Sequence, residues 1–164
     1  MPRTSAGLLM YRLCGAAAEY LLVHPGGPFW KNKDEGAWSI PKGEPLPGED
    51  LLDCAQREFE EELGIKPHGP YTRLEPIQQK GGKIVHAWAF QGDCDPSAIR
   101  SNTFTVEWPS RSGRFRTFPE VDRAAFFGPE AAKKKIIPAQ ADLLDQLAGL
   151  LCLKGEGGGR KGEG

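Results

Sequence analysis

Apolar residues along this chain come in short alternating runs punctuated by glycine and proline, with a few stretches of helical period between them. Ala6 to Leu13 and Tyr20 to His24 read as a strand pair joined by a turn around Gly15. His24-Pro25-Gly26-Gly27-Pro28 opens a loop that runs through the charged stretch Lys31 to Glu35, and Trp38-Ser39-Ile40 reads as a short strand. Ala55, Phe59 and Leu63 recur every fourth residue and predict a helix from about Glu49 to Leu63. Tyr71 to Gln79 reads as extended. Gly81-Gly82 turns the chain into a strand over Lys83 to Gln91, where Ile84, His86, Trp88 and Phe90 alternate with Lys83, Val85, Ala87 and Ala89. Asp95 to Ile99 reads as a helical turn. Thr103 to Trp108 follows as a strand, with Phe104, Val106 and Trp108 on one face. Pro109 to Thr117 reads as a polar, basic loop and Arg123 to Phe127 as a short strand. Pro129 opens a helix to Ile137. Pro138 breaks it, and Ala139 to Leu153 forms another, with Leu143, Leu144, Leu147, Leu150 and Leu151 as its stripe. The expectation is one α/β domain over residues 1–153, a mixed sheet between helices, and a disordered Gly/Lys/Glu-rich tail over 154–164.

Composition narrows the class. At 164 residues the chain is long enough to bury a substantial core. Its 21 basic and 22 acidic residues leave a net charge of −1, which argues against broad nucleic-acid binding. No apolar run is long enough to span a bilayer, and Leu8-Leu9-Met10 is too short for the core of a signal peptide, so a cytoplasmic protein is expected. Cys14, Cys54, Cys94 and Cys152 are scattered without a C-x-x-C pair, a pattern that argues against zinc and requires no disulfide.

The charges on the first predicted helix change the picture most. At about 100° per residue, with Glu58 at zero, Glu62 lies near +40° and Glu61 near −60°, while Glu60 points away at about 200°. Three carboxylates share a face beside the apolar one. Like charges on adjacent turns repel, so a bare helix is destabilised and bound cations would relieve it. Hard oxygen donors suit Mg²⁺ or Mn²⁺. Pro47-Gly48 supplies a turn, Glu49 or Asp50 sits where an N-cap is wanted, and Gly64 follows the last periodic residue as a stop. Glu49 and Arg57 read as charge partners holding loop to helix.

From Gly43 to Ile65 the chain reads Gly43, five residues, Glu49, seven residues, then Arg57-Glu58-Phe59-Glu60-Glu61-Glu62-Leu63-Gly64-Ile65. This run fits G-x5-E-x7-R-E-U-x-E-E-x-G-U, with U apolar, at every fixed position, and it resembles the box of the Nudix hydrolase family. The chain looks most like the small bacterial group of predicted NTP pyrophosphohydrolases. The resemblance is specific from Trp38 to Ile65 and weak over the rest of residues 3 to 152. It implies an α/β/α sandwich and Mg²⁺-dependent hydrolysis of a diphosphate linkage in a nucleoside diphosphate derivative. By the same resemblance the metal shell would be Glu58, Glu61, Glu62 and the Gly43 carbonyl. The proton acceptor would be Glu61 first, then Glu120 in Phe118-Pro119-Glu120-Val121-Asp122, then Glu107. Lys42, Arg3, His86 and Arg114, the last in a basic loop with Arg111 and Arg116, are candidates for holding substrate. Trp30, Trp38 and Trp108 are candidates for stacking on a base, with core packing the commoner role for any one of them. The expected partner is a small nucleotide, with no membrane and no nucleic acid; a homodimer is left open. Trp38-Ser39-Ile40-Pro41-Lys42-Gly43 is similar to the W-x-x-P-K-G run of dinucleoside polyphosphate hydrolases. Yet Lys80-Gly81-Gly82-Lys83 stands where that branch has a tyrosine and the ADP-ribose branch a proline, so the substrate stays open. The alternative is a noncatalytic module that binds a nucleotide as sensor or scaffold; such modules commonly lose box carboxylates, and this chain keeps them.

Overall fold

The computed structural model describes residues 3–159, with side chains through Cys152. Its centre is a long hairpin, β1 (Thr4–Cys14) and β2 (Ala17–Pro25), closed by Gly15 at φ 64°. The two strands pair from Tyr11↔Tyr20 to Cys14↔Ala17. Below that point they part, and β3 (Lys42–Gly43) takes the vacated edge of β1, with Ala6 opposite Gly43 and Gly7 opposite Lys42. Gly7 is needed there, because a Cβ would come within 2.5 Å of the Pro41 carbonyl oxygen. The residues Trp38 to Ile40 make isolated bridges, Ser39 to Val23 and Trp38 to Ile136, instead of the short strand expected. The regular pairing falls two residues later, where β1 is free to accept it.

The remaining strands complete a seven-stranded mixed sheet among the described residues. β6 (Ile84–Gln91) runs parallel to β1, and β4 (Thr72–Arg73) and β5 (Ile77–Gln78) pair with its far edge. β9 (Val121–Phe127) lies antiparallel to β2. A separate hairpin, β7 (Thr103–Glu107) with β8 (Phe115–Pro119), stands off this sheet. The end of the basic stretch read as a loop, Phe115 to Thr117, is therefore strand.

One face of the sheet is covered by α1 (Leu51–Leu63), the other by α2 (Pro129–Lys135) and α3 (Ala141–Gly159). α1 buries Cys54, Ala55, Phe59 and Leu63 against Ala6, Leu8, Met10 and Phe90. Full burial of Phe59 and Leu63 contributes about 1.5–3 kcal/mol each. α3 sets Leu143, Leu144 and Leu147 against Leu9, Tyr20 and Leu22, while Leu150 is left exposed. α3 continues past Leu153 to Gly159, into the stretch expected to be a tail; residues 160–164 lie outside the described residues. No helix of the described residues is long and apolar enough to cross a membrane.

Candidate active site

α1 begins where the sequence can pay for its first turn. The Asp50 carboxylate accepts the amides of Leu52 at 3.1 Å and Asp53 at 3.2 Å, a cap worth about 1 kcal/mol. It ends at Gly64, which is left-handed at φ 72° and donates to the Glu60 carbonyl at 2.7 Å. A Cβ at Gly64 would also come within 2.8 Å of the Arg100 carbonyl oxygen, so conformation and space both require glycine.

Arg57 ties the preceding loop to this helix. Its Nε and Nη2 donate to the two oxygens of Glu49, each at 2.9 Å, and Nη2 also reaches the Glu44 carbonyl at 3.2 Å. Glu49 takes the Leu46 amide as well, at 2.9 Å. The Arg57 hydrogen bonds, followed by that amide, pull the Glu49 carboxyl down to about 2. Nη1 of Arg57 donates to Glu58 at 3.0 Å and to Glu61 at 3.1 Å. One oxygen of each carboxylate is thus paired and the other has no partner among the described residues.

The three carboxylates differ in depth. The Glu58 side chain is 12% exposed and that of Glu61 is 36%. Gly43 packs directly against Glu58: a Cβ there would overlap the carboxylate. Burial raises the pKa of Glu58, with Arg57 opposing and Glu61 adding to the rise. Burial raises that of Glu62 well above the ordinary value, and the charge of Glu58 adds to it, while Lys42 pulls the other way. Glu60, on the far side, is exposed.

Glu120 joins this group from a distant part of the chain. A backbone strap brings it in: Asn102 donates to the Glu61 carbonyl at 2.8 Å and accepts from the Glu120 amide at 2.8 Å. Ser101 Oγ takes the Val121 amide at 2.9 Å. The Glu120 carboxylate has no hydrogen-bond partner among the described residues; burial raises its pKa, and the charge of Glu61 raises it further. Glu62, Glu120 and Lys42 line one cavity of about 200 Å³, whose other walls are largely apolar, among them Val23, Trp30, Ala37 and Ile137. The Lys42 ammonium is partly buried, and desolvation followed by Lys83 lowers its pKa.

The other candidate residues lie outside this cavity. Arg3 pairs with Glu44 at the exposed edge beyond β3. His86 sits level with Gly43 across β1, both opposite Ala6; its Nδ1 is buried without a partner, and burial, then Arg73, lowers its pKa. Arg114 is exposed at the β7–β8 turn. Glu107 accepts the Gly113 amide at 2.8 Å within that hairpin. Trp38 is core: it is 4% exposed, packs on Phe127 and donates Nε1 to Asp34 at 2.8 Å, which removes it as a stacking platform. Sequence reasoning missed the Ser101–Asn102 strap. It also missed Gln140, whose buried side chain accepts the Ile40 amide at 3.0 Å and donates to Ser39 Oγ at 3.0 Å and to Gln79 at 2.9 Å. A glutamine in a run of helix formers gives no hint that it braces a loop a hundred residues away.

No three His, Cys, Asp or Glu side chains of the described residues close into a ready cage for an ion, and Arg57 draws on both Glu58 and Glu61. The donor set itself is all carboxylate and carbonyl oxygen, the ligands hard divalent cations take. Gly43 leaves the space in which Glu58 stands beside its backbone.

A mixed sheet between helices, with an acidic helix laid over the strand that splits its central hairpin, makes an α/β/α sandwich that gathers carboxylates at one edge of its core. A family model described as the NUDIX domain matches residues 1–147, and the chain belongs to that family, as a Nudix hydrolase. Solved structures agree on the fold. An Ap4A hydrolase of C. elegans, solved as a binary complex, is 24% identical with a TM-score of 0.63, over 92% of this chain and 98% of that one. The NUDIX domain of Shewanella oneidensis NrtR, complexed with ADP ribose, is 12% identical with a TM-score of 0.64, over 92% and 89%. A mutT/nudix family protein from Listeria innocua is 17% identical with a TM-score of 0.63, over 94% and 97%. No curated protein matches the chain.

Proposed function

We propose that the protein hydrolyses the diphosphate linkage of a nucleoside triphosphate, dinucleoside polyphosphate or nucleotide sugar, with Mg²⁺ or Mn²⁺. The observation that carries this reading is the meeting of Glu62, Glu120 and Lys42 in one cavity that is otherwise largely apolar. The apolar side, with Trp30 and Ile137, suits a nucleoside; the charged side suits its phosphates.

Glu58, Glu61, Glu62 and the Gly43 carbonyl would hold the metal. Burial and mutual repulsion disfavour the ionised forms of Glu58 and Glu62, and a cation reverses that balance. When bound, the metal supplies Lewis-acid polarisation of the phosphoryl group and neutralises its charge. Lys42 adds a positive charge toward the phosphate oxygens. Arg57 fixes Glu58 and Glu61 and anchors the loop that carries Gly43. Glu120 takes the proton: one of its carboxylate oxygens accepts it from water as the water oxygen attacks phosphorus and the bond to the leaving phosphate breaks. Its raised pKa and unpaired oxygens support this role over Glu61, one oxygen of which is held by Arg57.

The test is a panel of nucleoside triphosphates, dinucleoside polyphosphates and nucleotide sugars with Mg²⁺, scored for phosphate, pyrophosphate and nucleoside monophosphate. Release that stops in excess chelator is expected. Tight nucleotide binding with no release from any compound would overturn the hydrolytic reading.

A further inference from the structure

We propose that His24 is a positioning residue: a buried, doubly protonated imidazolium that braces two walls of the catalytic cavity at once, the turn that carries Trp30 and the corner between β8 and β9 that carries Glu120. The proposal rests on the hydrolytic reading above.

The brace begins in the pairing of β2 with β9. His24 lies opposite Arg123 and Pro25 opposite Val121, so Asp122 is an extra residue in β9 with no opposite number on β2. In regular register the Asp122 side chain would leave the sheet on the face away from His24. A bulge re-aims a side chain, and here Asp122 Oδ1 comes to lie 2.8 Å from His24 Nδ1. The other ring nitrogen, Nε2, lies 2.6 Å from the Lys33 carbonyl oxygen. The imidazole is fully buried, in an edge contact with Trp38 at a centroid distance of 5.3 Å.

The partners fix the protons. A backbone carbonyl only accepts, so Nε2 carries a hydrogen. An ionised carboxylate only accepts, so Nδ1 carries the second. The ring is then a cation with both donors spent. Such a charge is costly to bury alone, and Asp122 is its counter-ion; Arg123 Nε stands further out, 3.7 Å from the same Oδ1.

Each arm of the ring holds something the reaction needs. The Lys33 amide donates to the Trp30 carbonyl at 3.0 Å, so the arm to Lys33 anchors the turn that sets Trp30 in the cavity wall. Asp122 follows Glu120 by two residues, and Val121 between them lines the same cavity. Gly26, two residues beyond His24, donates its amide to the Glu120 carbonyl at 2.9 Å. The arm to Asp122 thus ties the end of β2 to the corner that presents Glu120. The two arms can be cut separately, because a neutral ring keeps Nε2–H for Lys33 when Asp122 is removed.

The experiment joins heteronuclear NMR of protein with isotope-labelled histidine to kcat and KM measured with Mg²⁺ on the fastest-cleaved of ATP, diadenosine tetraphosphate and ADP-glucose. The proteins are wild type, Asp122→Ala, Asp122→Asn and His24→Asn. At neutral pH both ring nitrogens of His24, assigned by their response to Asp122→Asn, should carry protons in the wild type. Asp122→Ala should lower kcat about tenfold, the size of one lost charge-assisted contact, with KM little changed. Asp122→Asn should restore kcat, since its amide donates to a bare Nδ1, and its spectrum should show that bare nitrogen. His24→Asn, too short to reach both partners, should lower kcat and raise KM; if it fails to fold, the Asp122 variants and the wild-type spectrum decide. A bare ring nitrogen in the wild type, a wild-type kcat in Asp122→Ala, or an Asp122→Asn as impaired as Asp122→Ala overturns the brace alone. If the wild type cleaves none of the three compounds, the hydrolytic reading fails and takes the positioning role with it.

Discussion

Helix α1 supplies carboxylates of the candidate site and the β7–β8 hairpin leads the chain into Glu120, and the two hold their charges in opposite ways. On α1 the carboxylates are drawn inward: Glu58 stands against Gly43, Glu62 shares a cavity wall with Lys42, and Arg57 spends its donors on Glu49, Glu58 and Glu61. On the hairpin, Arg111, Arg114 and Arg116 stand exposed without a carboxylate partner among the described residues, and beyond the antiparallel ladder its contacts are light, among them an exposed Thr105–Thr117 contact at 3.0 Å and the Glu107–Gly113 bond at 2.8 Å. Inward charges are sensitive to geometry, and their loss is felt as lost chemistry. Solvated charges tune what arrives and contribute little to the fold.

The largest separation between the two should come from Glu120, which the strap through Asn102 delivers to α1 from the hairpin's end. Glu120→Gln should lower kcat about 10²-fold or more with little change in KM, and activity should partly recover at higher pH as hydroxide replaces the lost base. A near-normal kcat at neutral pH would return the role to Glu61.

Next in size is Gly43→Ala. The added Cβ must push aside the Glu58 carboxylate, the movable end of a long side chain, so turnover should need a higher Mg²⁺ concentration while urea denaturation shows little change. An unchanged Mg²⁺ requirement would mean that the position of Glu58 beside Gly43 does not matter to the metal.

A smaller effect concerns pH. The folded state raises the pKa of Glu62 above the ordinary carboxylate value of about 4.3. Its ionised form is therefore penalised by folding, and stability falls as pH rises from that value through the raised one. In chelator, Glu62→Gln should be more stable than wild type at pH 8, and the difference should vanish at pH 4. A variant less stable at pH 8 would show that Glu62 is held by partners rather than strained by burial. The smallest effect belongs to the hairpin: Thr105→Ala should cost about 0.2–1 kcal/mol and leave turnover intact.

The same contrast explains what could be read before any coordinates. The faces of α1 follow from a helical period acting over a few residues, so the separation of Glu58, Glu61 and Glu62 from Glu60 needs no tertiary knowledge. The Asp50 cap and the Gly64 stop are equally local. The hairpin hid its second strand because β8 pairs with a single neighbour away from the core. Phe115, Arg116 and Thr117 are all exposed, and no apolar alternation marks them as a strand. The placement of Glu120 depends on Asn102 bridging two distant carbonyl and amide groups, and that of the Ile40 segment on Gln140. Both are nonlocal hydrogen bonds made by residue types common on any surface. Trp38 was open for a related reason: a tryptophan beside Pro41-Lys42-Gly43 can face a ligand or the core, and its bond to Asp34, four residues back, holds it inward.

The central claim is that the inner face of α1 carries the chemistry. The most direct measurement is nucleotide hydrolysis at saturating Mg²⁺ by wild type, Glu62→Gln and Glu60→Gln, repeated in excess chelator. The account predicts a loss of about 10²-fold or more for Glu62→Gln, near wild-type turnover for Glu60→Gln, and no turnover in chelator for any of them. Equal damage from the two substitutions, or full activity in chelator, would contradict it.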